Sequence, residues 1–132
     1  MYLSRQARVS FAELKALACG SDYVLPSRSS LKQPIAHSTL NTAIRALDLE
    51  IADFVLHDFR RTASTHLHEA GFAPDIVEKA LAHTIGGVRG VYNRAEYADK
   101  RRAMLQQWSD MVDSWLDAKG AEIITLGVAR AA

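Results

Sequence analysis

Five histidines, four tyrosines and an adjacent arginine pair are the side chains of this 132-residue sequence with the clearest capacity for chemistry. His57 and Arg60 stand three residues apart in His57-Asp58-Phe59-Arg60. On a helix, side chains at that spacing share a face. A guanidinium offers a planar fork of N–H donors that matches phosphate oxygens, and it stays charged at any ordinary pH. An imidazole beside it can donate a further hydrogen bond or carry a proton, and a helix start adds partial positive charge. His83 lies 26 residues after His57, and Tyr92 nine after His83. A tyrosine hydroxyl is a competent nucleophile toward a phosphoryl centre surrounded by cationic groups. His57, Arg60, His83 and Tyr92 on one phosphodiester would make a transesterification site that needs no metal.

Each of these residues also has an ordinary reading. His57 can cap its helix, and His83 can satisfy a polar group in the core. Arg61 suits a solvent-facing charge, a salt bridge or a contact to a DNA backbone. Tyr97 is the rival nucleophile, but it falls on an apolar helix stripe, which favours Tyr92.

Other chemistries find less support. His66 and His68 are two residues apart and diverge on a helix, whereas chelation from one face needs a spacing of three or four. No serine sits in a nucleophile-elbow sequence. Cys19 is the single cysteine, so neither an internal disulfide nor a Cys-x-x-Cys zinc pair can form. With 48% hydrophobic and 23% charged residues, the composition is that of a globular domain, and the length suits one domain rather than two. No apolar run reaches the roughly 18–20 residues that cross a bilayer, and the first residues lack a secretory h-region. A soluble intracellular domain is expected.

The formal net charge of +1 conceals an asymmetry. Residues 1–45 carry six bases and two acids, and residues 57–102 carry eight bases and six acids, with Arg60-Arg61 and Lys100-Arg101-Arg102 clustered. Residues 103–132 carry two bases and four acids. A polyanion-binding face depends on local rather than global charge, so DNA remains compatible with this balance.

The elements that must position these groups read as mainly α with minor β. A helix is predicted over 5–19, with Ser4 as its N-cap and Gly20 as its stop. Tyr23–Pro26 reads as a short extended piece, and 26–37, rich in Pro, Ser and bases, as a loop. Ser38 or Thr39 caps a second helix whose Leu40, Ile44 and Leu47 share a face. A third helix runs from about His57 to Ala70, closed by Gly71. Pro74 opens a fourth, with Ile76, Val77, Ala80 and Leu81 on its apolar side. Thr84–Gly90 reads as a flexible connection. A long helix from about Glu96 to Ala118 carries the stripe Tyr97, Met104, Trp108, Met111 and Trp115, which places both tryptophans in the core. Glu122–Leu126 reads as a short strand and the last residues as a loose tail, so 121–132 forms a C-terminal strand and tail.

The segment HDFRRTASTHLHEAGFAPDIVEKALAH (57–83), followed by GVRGVYNRAEY (87–97), resembles the catalytic core of tyrosine recombinases, the phage integrase family. That family's pattern is His-x-x-Arg, a second His about two dozen residues on, and a nucleophilic Tyr nine residues further. The flanks YNRAEY, QQWSDMVDSW, DYVLPSR and STLNTAIRAL extend the likeness over about residues 4–126, toward integrases of prophages and genomic islands. The resemblance implies part of the DNA breaking-rejoining enzyme fold of the tyrosine recombinase catalytic domain, with residues 1–132 as its C-terminal part. It implies that Arg60 holds non-bridging oxygens of the scissile phosphate, that His57 and His83 add hydrogen bonds, and that Tyr92 attacks phosphorus. The product would be a 3′-phosphotyrosyl link and a free 5′-hydroxyl, which rejoins new ends without ATP, metal or any cofactor. Implied partners are a double-stranded DNA attachment site and other integrase protomers, with no membrane and no small-molecule ligand. The implied location is the cytoplasm of a bacterium, at the nucleoid. Arg28, Lys32 and Arg61, with Ser27 and Ser29, are candidate contacts to DNA phosphates.

The departure from the pattern is large. Family enzymes carry another phosphate-binding arginine upstream and a lysine on a β-hairpin, and neither has a matching position here. YLSRQA resembles the stretch entering the helix after that hairpin. An N-terminally incomplete catalytic domain, nearly inactive alone, is therefore expected, with some apolar surface left exposed. The alternative is a non-catalytic DNA-binding or assembly module that keeps the fold. A helical protein-interaction domain rests only on Met104, Trp108, Met111 and Trp115. A topoisomerase is possible on chemistry alone, but the flanks favour an integrase.

Overall fold

Ser4 stops the chain from fraying where the first helix begins. Its Oγ accepts the Ala7 N–H at 3.1 Å, which satisfies one of the orphan donors of helix α1, Arg5–Leu17. The computed structural model describes residues 2–47, 49, 51–83 and 96–118. Helix α1 ends two residues earlier than predicted, because Ala18 leaves the helix and both Cys19 (φ 51°) and Gly20 (φ 80°) take left-handed backbone.

The stretch expected as a loop is a hairpin. Strands β1 (Pro26–Ser27) and β2 (Ser30–Pro34) pair antiparallel, in register Pro26↔Pro34 and Ser27↔Ser30 with an irregularity between. The prolines lie at the open end of the ribbon, where a missing N–H costs little. Buried Ser21 donates from Oγ to the Leu31 carbonyl at 2.5 Å and so ties the hairpin to the exit of α1. Helix α2 spans His37–Arg45; Ala36 rather than Ser38 or Thr39 is its N-cap, with no side-chain cap.

Helix α3, Leu56–Glu69, starts two residues after Phe54 with Val55 as N-cap. Asp58 reaches back, its Oδ2 accepting the Val55 N–H at 3.0 Å, and Asn41 Oδ1 accepts the Leu56 N–H at 3.0 Å. His57 is therefore not the cap. The helix closes as expected at Gly71 (φ 83°), where the Phe72 N–H returns to the Leu67 carbonyl at 3.1 Å. Helix α4, Pro74–Ala80, opens on a proline that has no N–H to leave unsatisfied. Helix α5, Ala98–Ala118, follows Tyr97, itself at φ 48°.

The core forms where α3, α4 and α5 meet. Leu67, Ile76, Val77 and Met104 are buried, and Phe72, Ala80, Leu81, Tyr97 and Trp108 pack around them. Burying a side chain of the size of Leu67 or Met104 contributes about 1.5–3 kcal/mol. The predicted stripe of α5 is covered only in part. Trp108 joins the core, whereas Trp115 is 38% exposed and meets His66 at a tilt of 54°, ring centroids 4.8 Å apart. Helix α1 docks on α5 by polar contacts instead. Ser109 donates to Ser4 Oγ at 2.7 Å, and Gln6 donates to Asp110 and Asp113 at 2.7 and 2.8 Å. Val9, Phe11 and Leu17 of α1 are exposed.

Among the described residues the architecture is mainly helical with one two-stranded sheet, as expected of the class, but the β structure lies at 26–34. The strand expected over Glu122–Leu126, the tail after it and the Thr84–Gly90 connection lie outside the described residues. No helix among the described residues is long and apolar enough to cross a membrane.

Candidate functional site

Burial of Leu67 against α4 and α5 fixes which way α3 faces, and its polar side is turned to solvent. His57, Arg60, Arg61, Ser64, Thr65 and His68 lie on that side, at the helical spacings that place side chains in one stripe. With His83 they line an open cleft of about 300 Å³.

His83 reaches the cleft because of how α4 ends. Leu81 caps the helix, Ala82 takes φ 52°, and the chain turns back. The Ala82 N–H bonds to the Lys79 carbonyl at 3.3 Å and the His83 N–H to the Glu78 carbonyl at 2.9 Å. This is the paired closure of a Schellman turn, with alanine where glycine is usual. Its effect is to lay the imidazole between a guanidinium of α3 and a carboxylate of α4. Arg60 donates from Nε to His83 Nε2 at 3.2 Å, and His83 Nδ1 lies 2.7 Å from Glu78 Oε2.

Donor and acceptor roles follow from the groups themselves. A guanidinium has no acceptor, so Nε2 must accept; a carboxylate offers only lone pairs, so Nδ1 must carry the proton it shares. In this arrangement His83 Nε2 accepts from Arg60 and is not free to donate into the cleft, which differs from the donor role that the resemblance implies for it. The neighbouring arginine is engaged differently: Arg61 pairs with Asp58 at 3.5 Å across one helical turn and is 75% exposed. Two guanidinium groups on one open cleft make it a place for an anion, with Asp58 paired to Arg61 and Glu78 behind the His83 ring.

Of the residues predicted from sequence, the structure brings Arg60, His57, His83 and Arg61 to this one cleft. Arg28 lies in the hairpin turn and Lys32 on β2; both are exposed, and neither lines it. Ser27 and Ser29 bond to each other at 3.0 Å within that turn. Tyr92 lies outside the described residues. Tyr97 is half-buried against the core. His66 and His68 part company as expected: His66 meets Glu69 and the tryptophans, while His68 Nδ1 pairs with the Ser64 carbonyl at 2.7 Å. Sequence reading did not single out Glu78, Ser64 or Thr65, and it weighed His68 only as a metal ligand. For the three on α3 the helical spacing from Arg60 was the available signal.

Residues 3–99 match the phage integrase family. Prophage integrase IntA of Escherichia coli (strain K12) is 40% identical over 111 residues, covering 83% of this chain and 27% of the relative. The integrase of Shigella phage Sf6 is 40% identical over 100 residues, 75% of this chain and 25% of that protein. Prophage integrase IntZ of Escherichia coli (strain K12) is 37% identical over 119 residues, 89% of this chain and 29% of the relative. The chain thus spans between a quarter and a third of the length of these curated relatives. No solved structure matches it significantly. A family match over most of the sequence, with relatives at 40% identity, establishes that the chain belongs to the phage integrase family of tyrosine recombinases.

Proposed function

We propose that this chain carries the Arg60, His57, His83 and Tyr92 part of a catalytic domain that cleaves and rejoins DNA in site-specific recombination, through a 3′-phosphotyrosyl intermediate, and that on its own it acts only slowly. The observation that carries the reading is the 3.2 Å hydrogen bond from Arg60 Nε to His83 Nε2, which joins residues 23 apart in sequence at the edge of a cationic cleft. Duplex DNA from an attachment site is the substrate, other protomers on the same DNA are the partners, and the bacterial nucleoid is the place of action.

In this mechanism a scissile phosphate enters the cleft and its non-bridging oxygens take the Nη donors of Arg60. His57, at the second position of α3, adds a hydrogen bond beside the positive end of that helix. These donors are in place before charge builds on the phosphoryl oxygens, and this is why each counts for more than it would in water. The Tyr92 oxygen forms the new bond to phosphorus as the bond to the 5′ oxygen breaks. The phenolic proton is lost and the departing 5′ oxygen gains one, so the step is proton-neutral overall. One phosphoester replaces another, and the reverse attack by a 5′-hydroxyl rejoins the strand.

The test uses duplexes selected from a random pool for binding to the purified protein, then remade with a bridging 5′ sulfur at the cleaved position. The released thiol rejoins poorly, so covalent protein–DNA adduct accumulates. Slow accumulation of trapped adduct is expected with the wild-type protein and none with Tyr92→Phe, and Arg60→Ala should slow it by about a further 10²–10³-fold, the usual loss of one such donor. Salt-dependent binding with no adduct at any time would favour a non-catalytic DNA-binding module. Adduct that persists in Tyr92→Phe would overturn the assignment of the nucleophile.

A further inference from the structure

A second cationic cleft, of about 470 Å³, lies where the start of α1 rests on the first turns of α5. Arg5 and Arg8 from α1 and Arg102 from α5 line it, around Leu3 and Ala103. It shares no lining residue with the cleft of Arg60 and His83, and the cleavage chemistry makes no use of it. We infer that this second cleft binds the sugar-phosphate backbone of duplex DNA away from the cleaved linkage. The choice of ligand rests on the proposed function; the residues are different ones.

The two helices set the arginines in place. Arg5 and Arg8 stand three residues apart on α1, so their side chains share a face. On α5, Asp99, Arg102 and Gln106 recur at helical spacing on the side away from buried Met104. The Arg5 backbone N–H donates to Gln106 Oε1 at 2.8 Å, which fixes α1 against that side and leaves the guanidinium groups to reach outward. Arg8 makes no ion pair or side-chain hydrogen bond among the described residues. Arg102 meets Asp99 at 3.3 Å and Arg5 meets Asp110 at 3.8 Å, and all four side chains are more than half exposed. Exposed pairs of this kind are weak and give way to a better anion. The Tyr2 ring lies 5.0 Å from the Arg102 guanidinium, a contact that steadies the group without using its N–H donors.

The chemistry of the cleft selects phosphate. Three guanidinium forks, each able to take two oxygens of one phosphate, are spread along an open surface and suit a row of phosphates better than one small anion. An acidic peptide is the other class of polyanion. It would bring only carboxylates, which Arg5 and Arg102 already have from Asp110 and Asp99. A DNA backbone adds a fixed charge at a regular repeat, and it gains further from the counterions that such contacts release.

The test is equilibrium binding of the whole chain to a fluorescent duplex of arbitrary sequence over a series of salt concentrations, which needs no cleavage. Arg8→Ala is expected to weaken binding by about three- to tenfold and to lower the slope of log affinity against log salt by about one, the loss of one phosphate contact. Asp99→Asn frees Arg102 and should tighten binding by about two- to fivefold, a gain that misfolding does not produce. Glu13→Gln makes the same charge change on an exposed part of α1 outside the cleft, and binding should stay within about twofold of wild type. Stoichiometry at low salt tells the source of the backbone. Two duplexes per chain, the second weakened in Arg8→Ala, mean a separate duplex; one per chain, with the lower slope, means a flank of the same duplex. Unchanged affinity and slope in Arg8→Ala would overturn the inference. So would equal gains in Asp99→Asn and Glu13→Gln, because net charge alone would then explain them. Arg8-dependent binding of polyglutamate, without any Arg8 effect on DNA, would assign the cleft to an acidic protein partner instead. Variants that shift DNA binding as expected in a chain that forms no adduct count against the cleavage reading and leave the second cleft standing; adduct with no Arg8 effect on binding does the reverse.

Discussion

Lys79 Nζ and Glu96 Oε1 lie 3.4 Å apart, so the residue after Glu78 is joined to a residue just before α5. Arg101 closes the same cluster. It donates to the Lys79 carbonyl at 3.4 Å and to Glu96 Oε2 at 3.3 Å, and its guanidinium stands 5.2 Å from the Tyr2 ring centroid. Glu96 thereby ties the chain, four residues after Tyr92, to the helix that presents His83.

Under the proposed function this cluster should matter to cleavage far more than to folding. Its charges are partly solvated, with Glu96 69% exposed, and such pairs contribute under about 1 kcal/mol. A nucleophile held slightly out of line, by contrast, loses rate steeply. Glu96→Ala is therefore expected to leave the urea midpoint almost unchanged and to slow adduct formation by about tenfold. Equal losses in stability and rate would show that the cluster only holds the fold.

The core makes a sharper stability prediction. Met104 is fully buried at the junction of three helices, and Met104→Ala should cost about 2–5 kcal/mol in urea unfolding. Trp115, on the same sequence stripe, is 38% exposed. Truncating it to Ala should cost clearly less than Met104→Ala, and the ordering of the two variants is the observation that checks the fold.

That contrast shows why periodicity told only part of the story. The stripe of α5 is long enough to predict burial from Tyr97 to Trp115, but the helices packed on it, α3 and α4, span only 14 and 7 residues. Sequence period states which residues share a face and not how much of that face a neighbour covers. Capping signals were more legible because they act locally: Ser4, Gly71 and Pro74 each do at their position what their chemistry dictates. The hairpin was hidden for the opposite reason. Its longer strand, Ser30–Pro34, has no apolar alternation, and its hold on the molecule is a hydroxyl from Ser21. At the site, His57, Arg60 and His83 were legible by spacing. Glu78 was not, because its meeting with the imidazole depends on a left-handed residue that no glycine marks.

The docking of α1 on α5 sets an acid limit to stability. Asp110 accepts hydrogen bonds from Gln6 at 2.7 Å and Gln106 at 2.9 Å, and Arg5 lies 3.8 Å away. The Gln6 bond first, then Gln106 and the Arg5 charge, hold its carboxyl below the usual carboxylate range. A carboxyl depressed in the folded state stabilises the fold above its unfolded pKa, about 3.9, and loses that contribution as pH falls through the folded value. Stability measured by urea unfolding should therefore decline below about pH 4, with a shallower decline in Asp110→Asn. An unchanged acid limb in that variant would mean that the network does not favour the ionised form.

Ala82 carries the turn that brings His83 to the cleft, at a backbone angle that suits glycine. A side chain in the left-handed region costs roughly 1–2 kcal/mol, and glycine would return part of this as extra freedom of the unfolded chain. Ala82→Gly is therefore expected to raise stability by about 0.5–1 kcal/mol. The Schellman bonds, and with them the contacts of His83 to Glu78 and Arg60, should survive, because they need only the backbone of residue 82. The adduct rate should then stay close to that of wild type while the urea midpoint rises. A fall in the midpoint would mean that residue 82 does not hold the left-handed turn in solution, and His83 would then have no fixed route to Arg60.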